Sequence, residues 1–461
     1  MEKHTLAKDH ITEGVIWKEM LLFFLPIMLG TLLQQLYNAA DAIIVGQALG
    51  KEALAAVGGS STSIITLLVN FFVALASGAS VVISQAYGAG RERRVREGIY
   101  CSMVLAVVCG AVLMVLGIVG ARPLLVLLHT TPDTINSSAD YLQVYFLGMI
   151  PTMLYNMGSG ILRAMGDAKK PLLFLGVCIV ANVGLDLLFV MVFHWGVIGA
   201  AAATALSQVM CSLMVLLVLG RLPENLRPKL RGERFNRLIL YRMIQIGIPA
   251  GIQSSMYNIA NMLIQSAINS LGTDAVAGWT AYRKIDDIYW PISNALGIAI
   301  MTFVGQNYGA RKVDRVKESI RSGLVLHLGV SAIFSVLTCL LRYPLIRLFN
   351  DDPAVLQIGT EVALMTCSCY VLFSCTEVLS ASMRGVGNAL KPAIITLCTT
   401  CIVRVIYLWL YGFSHASNAV IAFCYPLTWA LSSIVFLVYY KFGHWLPKGT
   451  LERRQGAAAG K

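Results

Sequence analysis

The sequence predicts an all-α integral membrane protein in which twelve transmembrane helices form two pseudo-symmetric six-helix lobes. Three observations carry that expectation. Hydrophobic residues fill 57% of the 461 positions and charged residues only 13%, against about 45–50% and about 25% in soluble domains. The apolar residues come in runs near the roughly 20 needed to cross a bilayer as a helix, not in the short alternating segments of a membrane barrel. Motifs of the first half also return in the second at a near-constant offset.

Apolar windows fall at 20–46, 54–86, 98–120, 138–160, 171–193 and 197–220, then at 238–269, 276–306, 318–341, 359–383, 392–412 and 417–441. The chain therefore divides into an N-terminus 1–19, a first lobe 20–220, a linker 221–237, a second lobe 238–441 and a tail 442–461. The first span is too long for the apolar core of a signal peptide, and Gln34, Gln35 and Asn38 interrupt it, so it is expected to remain a helix. Basic residues gather in the loops after even-numbered spans: Arg91, Arg93, Arg94 and Arg96, then Arg163, Lys169 and Lys170, then Arg221, Arg227, Lys229, Arg231 and Arg234. The second half continues with Arg311, Lys312, Arg315 and Lys317, then Arg384 and Lys391. The positive-inside tendency places these loops and both termini in the cytoplasm. Loop charge of this kind accounts for the net charge of +12 without a nucleic-acid partner. The eleven cysteines lie in or beside apolar segments, and the lone CxxC at Cys398 and Cys401 has no second pair, so packing is expected of them.

The repeat is legible in three motifs, each shifted by 221. Pro123-Leu-Leu…Pro132 returns as Pro344-Leu-Ile…Pro353, and Gln85-Ala-Tyr-Gly-Ala returns as Gln306-Asn-Tyr-Gly-Ala. The loop from Arg163 to Pro171 returns from Arg384 to Pro392, and Tyr37-Asn38 matches Tyr257-Asn258 at a shift of 220. Six spans separate each pair, so both copies share one orientation and are related by an axis along the membrane normal, a common plan in secondary transporters.

Two residues break the apolar character of the fifth span. Asn182 and Asp186 lie one helical turn apart, on one face. A carboxylate at the bilayer centre costs at least about 2.5–3.5 kcal/mol, which makes such acids rare and usually functional. Asp41, Asp186 and Thr204 stand five, eight and seven residues from the outer ends of their spans. At about 1.5 Å per residue all three sit roughly 7–12 Å below the outer surface. Asn182 is a turn deeper. Two carboxylates, an amide oxygen and a hydroxyl at one depth suit a hard cation such as Na+, or a shared proton. Acids that approach each other titrate as a pair, and a cation between them restores both charges, so proton and sodium would compete for one site. The plainer alternative, separate satisfaction of each acid by backbone or hydroxyl groups, leaves the matched depth unexplained. At the repeat offset Asp41 corresponds to Asn261, Asp186 to Tyr407 and Asn182 to Val403. Ion coupling is therefore expected in the first lobe alone.

The second lobe carries other intramembrane charges. Arg283, Lys284, Asp286 and Asp287 enter span eight, Glu377 lies in span ten and Arg404 in span eleven. Arg283 and Asp287 are four apart and can neutralise each other, and Glu377 can pair with Arg404 if their faces meet. Structural pairing and the lining of a substrate cavity are equally compatible with these residues. Candidate supporting or cavity residues are Pro26, Gln34, Tyr37, Asn38, Asn156, Tyr257, Arg283, Asp287, Glu377 and Arg404. Pro26 removes one helix hydrogen bond and allows span one to kink.

With these residues in view, the chain resembles the multidrug and toxic compound extrusion (MATE) family over about residues 15 to 445. The resemblance rests on Pro26 with Gln34, Tyr37, Asn38 and Asp41, on Gln85-Ala-Tyr-Gly-Ala, on the paired Arg163…Pro171 and Arg384…Pro392 loops, and on Asn182, Asp186 and Thr204. It implies a V-shaped pair of lobes that exports organic cations by antiport with Na+ or H+ through alternating access. It further implies an ion site at Asp41, Asn182, Asp186 and Thr204, with bending of the first helix at Pro26 linked to it. Some members place coupling acids in helices seven and ten; span seven here has none, and Glu377 is the candidate in span ten. A monomer among membrane lipids is expected, in the plasma (inner) membrane of a bacterium or archaeon, with no cofactor beyond the coupling ion. Two alternatives remain. A lipid-linked oligosaccharide flippase of the same superfamily would want a strongly cationic cavity, whereas the first lobe reads acidic. A membrane-embedded enzyme would need a catalytic motif, and no HExxH or nucleophile pattern is present.

Overall fold

The computed structural model describes residues 10–228, 235–412 and 417–446. Lys229, Arg231 and Arg234 of the linker, the first nine residues and the tail from 447 lie outside the described residues. Among the described residues every regular element is helical, as expected of a backbone that must satisfy itself in hydrocarbon.

The first half runs α1 (His10–Glu13), α2 (Ile16–Leu49), α3 (Lys51–Gly58), α4 (Ser60–Gly88), α5 (Glu92–Leu127), α6 (Pro132–Leu147), α7 (Met149–Ala164), α8 (Lys169–Asp186) and α9 (Gly196–Gly220). The second runs α10 (Arg237–Asn269), α11 (Thr273–Gly309), α12 (Val313–Arg347), α13 (Pro353–Cys367), α14 (Tyr370–Gly385), α15 (Leu390–Thr396), α16 (Val403–Tyr407) and α17 (Asn418–Phe442). Wider π-turns follow α8 at Leu187–Val192 and flank α16 at Leu397–Ile402 and Leu408–Gly412.

Nine helical segments of the described residues are long and apolar enough to cross a membrane, and α13 with α14 makes a tenth, bent by 46°. The other two expected spans are also helical. One is α10, 33 residues long but diluted by Gln245, Gln253, Asn258 and Asn261. The other is α6 with α7, interrupted at Gly148. A Cβ at Gly148 would stand 3.0 Å from Ala205 Cα, so the break lets α9 approach closely. At the repeat offset Gly148 corresponds to Cys369, where α13 and α14 part. The duplication thus reaches into the irregularities. The outward faces are apolar as well: Val119, Val180 and Leu340 are 73%, 75% and 73% exposed. Such surface belongs against lipid; the chain is a multi-pass integral membrane protein.

Two compact units emerge: Leu25–Gly251, and the described residues of Met1–Phe24 with Ile252–Lys461. The first helix of each repeat therefore begins in the other repeat's unit. In the first unit, a Cβ on Gly78 of α4 would run into Met243 O, and one on Gly247 into Leu75 O. Those contacts hold the opening turns of α10. In the second unit, Arg315 Nη2 donates to the carbonyls of Ile11 (3.1 Å) and Gly14 (2.7 Å), and Phe23 packs edge-on against Phe303. Pro26 and Pro249 lie within a turn of the two crossing points.

Candidate functional site

In the first unit, α2, α8 and α9 supply the side chains. α8 is α-helical up to Asp186 and then widens, with Phe193 N–H reaching back five residues to Leu188 O at 2.9 Å. Widened turns of this kind recur at functional sites because they re-aim side chains. A tight turn with positive φ at His194 (55°) and Gly196 (61°) then brings α9 back alongside α8. Asp186, Asn182 and Thr204 are 0%, 1% and 8% exposed.

These residues meet. Oriented to satisfy both ends of its amide, Asn182 donates to Asp186 Oδ2 at 2.9 Å and accepts from the Thr204 backbone N–H at 3.3 Å. The Thr204 hydroxyl bonds to Tyr37 Oη of α2 at 3.2 Å. The carboxyls of Asp41 and Asp186 lie within hydrogen-bonding range of each other. Each has one buried oxygen, Oδ1, with no partner. Two ionised carboxylates offer only acceptors, so their approach calls for a proton between them or a cation. The orphaned oxygens and the all-oxygen donor set fit a hard monovalent ion as well as a proton. Tyr141 and Tyr145 of α6 stack at 5.9 Å near Asp41. They carry no charge, and no motif or spacing singles them out.

The supporting residues divide. Pro26 and Gln34 lie in α2, Gln34 half-buried, and Asn38 is exposed with a 3.5 Å bond to Gln35. Asn156 is turned to its own helix, donating to Thr152 O at 2.9 Å.

In the second unit Tyr257, Asn261, Arg283, Asp286, Asp287, Glu377 and Arg404 line one cavity of about 430 Å³, with Trp290, Phe373, Tyr425 and Trp429. The expected Glu377–Arg404 pair does not form. Glu377 Oε1 faces Arg384 Nη2 at 3.8 Å, two turns along the same helix. Arg404 donates instead to Asn261 Oδ1 at 3.1 Å and Thr428 Oγ1 at 3.4 Å. Asp287 sits in the field of Lys284 and Arg283. Asp286 is tied into the wall, accepting from Tyr370 Oη and from Trp290 Nε1 at 2.8 Å. Behind that wall His327 bonds Ser293 and Ser374, each at 2.9 Å, and Ser331 at 3.2 Å. Tyr370 and His327 escape any reading of local patterns because their neighbours come from other helices.

Duplicated helical units with buried acids define an integral membrane protein of the two-repeat transporter type. The family model described as MatE matches residues 26–188 and again 249–410, and the chain belongs to that family. It is 30% identical over 436 residues to the probable multidrug resistance protein YpnP of Bacillus subtilis, covering 94% of this chain and 97% of that one. It is 28% identical over 435 residues to the probable multidrug resistance protein YoeA of the same species, covering 93% and 94%. A solved MOP superfamily transporter from Pyrococcus furiosus superposes with a TM-score of 0.87 at 23% identity, covering 94% and 96%. That likeness establishes the fold.

Proposed function

We propose that the protein is a secondary multidrug exporter that couples outward movement of lipophilic organic cations to inward movement of Na+ or H+. The observation that carries this reading is the meeting of Asp41 and Asp186, each with a buried oxygen lacking a partner. The names of the two Bacillus relatives agree with it. In the proposed cycle, alternating access presents the acids to the external face, where an ion or proton enters between them. The bound charge weakens substrate retention through its different affinity for the two states. Thr204, Asn182 and Tyr37 hold the acids in register. The protein acts as a monomer with both termini cytoplasmic, in a prokaryotic plasma membrane, without enzymatic chemistry.

The test is efflux of a fluorescent cation from proteoliposomes under separately imposed sodium and pH gradients. At least one gradient should drive vectorial transport. Transport driven by neither gradient would overturn the proposal.

A further inference from the structure

We infer that the second-unit cavity binds an aromatic ligand through a carboxylate seated at Arg404. As an assignment of substrate, this rests on the exporter reading above and names a ligand class that reading does not contain.

Arg404 is 2% exposed, yet it lines the cavity of about 430 Å³. Its terminal nitrogens reach only neutral acceptors, and its Nε is buried with no partner at all. No carboxylate stands within ion-pair distance of it among the described residues. Two acids that line the same cavity are committed elsewhere: Glu377 to Arg384, and Asp286 to Tyr370 and Trp290. A buried guanidinium without a counter-ion is strongly unfavourable. Its planar fork matches a carboxylate, which would satisfy it.

The walls specify the rest of the ligand. The Arg404 guanidinium lies 4.8 Å over the ring of Tyr425. Trp290 meets Phe373 at 5.1 Å and Trp429 at 5.8 Å, and Tyr425 meets Trp429 at 5.6 Å. Such a set receives a flat ring system. Asp287, on α11, lines the same cavity but stands in the field of Arg283 and Lys284. The geometry therefore favours an aromatic ligand that carries a carboxylate over a simple cation. The corresponding position in the first unit is Val183, so the feature belongs to this unit alone.

Rhodamine 110 carries a free carboxylate and rhodamine 123 is its methyl ester, so the two dyes differ in that group. Fluorescence polarisation with the purified full-length protein reads equilibrium binding without any ion gradient. Rhodamine 110 should bind roughly tenfold more tightly, the usual scale of one charge-assisted contact. Arg404→Gln should bring the ratio of the two affinities close to one. Equal binding, or tighter binding of the ester, by the unaltered protein overturns the inference. A ratio unmoved in monodisperse Arg404→Gln protein also overturns it. Should that variant fail to fold, Arg404→Lys decides: it should lower the ratio because an ammonium lacks the two-pronged contact, and an unmoved ratio rejects the site. A preserved ratio alongside failed gradient-driven efflux overturns the transport reading and leaves the binding site standing.

Discussion

The same pair of helices carries opposite charge in the two units. In the first, α2 and α8 bring Asp41 and Asp186 together. In the second, the corresponding α10 and α16 meet through Asn261 and Arg404 at 3.1 Å. At the repeat offset Thr204 becomes Tyr425, under the guanidinium, and Ser207 becomes Thr428, which accepts from it. A second inversion lies across each unit. Ser293, His327, Ser331 and Ser374 form a polar hub, whereas their counterparts Phe72, Ala106, Gly110 and Met153 are apolar or lack a side chain. Duplication has kept the backbone and redistributed the polarity. A carboxyl pair can gain or lose a proton or a cation, whereas a guanidinium keeps its charge. At this helix pair the first unit holds groups whose charge can change and the second a group whose charge is fixed.

The largest test of that contrast removes the exchangeable charge. Asp186→Asn, or Asp41→Asn, leaves an amide that cannot exchange its charge for the proposed coupling ion. Gradient-driven efflux should fall to the level of protein-free liposomes, while expression and membrane insertion stay normal. Full transport by either variant at normal expression would place coupling elsewhere.

Next in size is the packing contrast. His327→Ala removes the partner of Ser293 and one partner each of Ser331 and Ser374. A buried hydroxyl without a partner costs about 1–3 kcal/mol, and the melting temperature in detergent should drop accordingly. Gly110→Ser gives the first unit the serine that the second has at 331. Its Cβ would stand 2.6 Å from Ile150 Cα, so close backbone approach is lost. Overpacking of this kind costs about 1–3 kcal/mol. If thermal unfolding shows both variants unharmed, the hub and the close contact are not equivalent solutions to one packing position.

Much of this contrast is legible in the amino-acid sequence. Hydropathy and the repeat give the helices and their duplication because lipid leaves few other folds. Counting residues from span ends brings Asp41, Asp186 and Thr204 to one depth; in the structure the two acids meet, and Asn182 links Thr204 to Asp186. Depth does not give rotation about a helix axis, however, and rotation decides partners. Glu377 therefore faces Arg384 and not Arg404, Asn156 turns to its own backbone, and Tyr141 and Tyr145 join the acids unannounced. The break at Gly148 is also hidden from sequence patterns, since only the approach of Ala205 explains it.

The smallest expected effect comes from writing the first unit's acid into the second. Asn261→Asp places a carboxylate beside Arg404 Nη1, where the amide oxygen now stands at 3.1 Å. Charge-assisted bonds are roughly twice as strong as neutral ones, so the guanidinium would be satisfied from within the protein. A ligand carboxylate must then compete with a tethered one. The preference for rhodamine 110 over rhodamine 123 should fall by roughly tenfold, about 1.4 kcal/mol, in the same polarisation assay. An unchanged preference would mean that Arg404 is not the group reading the carboxylate. The new acid should not create a second ion site, because Tyr407 occupies the position of Asp186 and α16 carries no carboxyl of its own. Combining Asp41→Asn with Asn261→Asp moves one acid from the first unit to the second without changing composition. That protein should remain uncoupled, since the proposed coupling needs two acids and Tyr407 stands where the second unit would need its own.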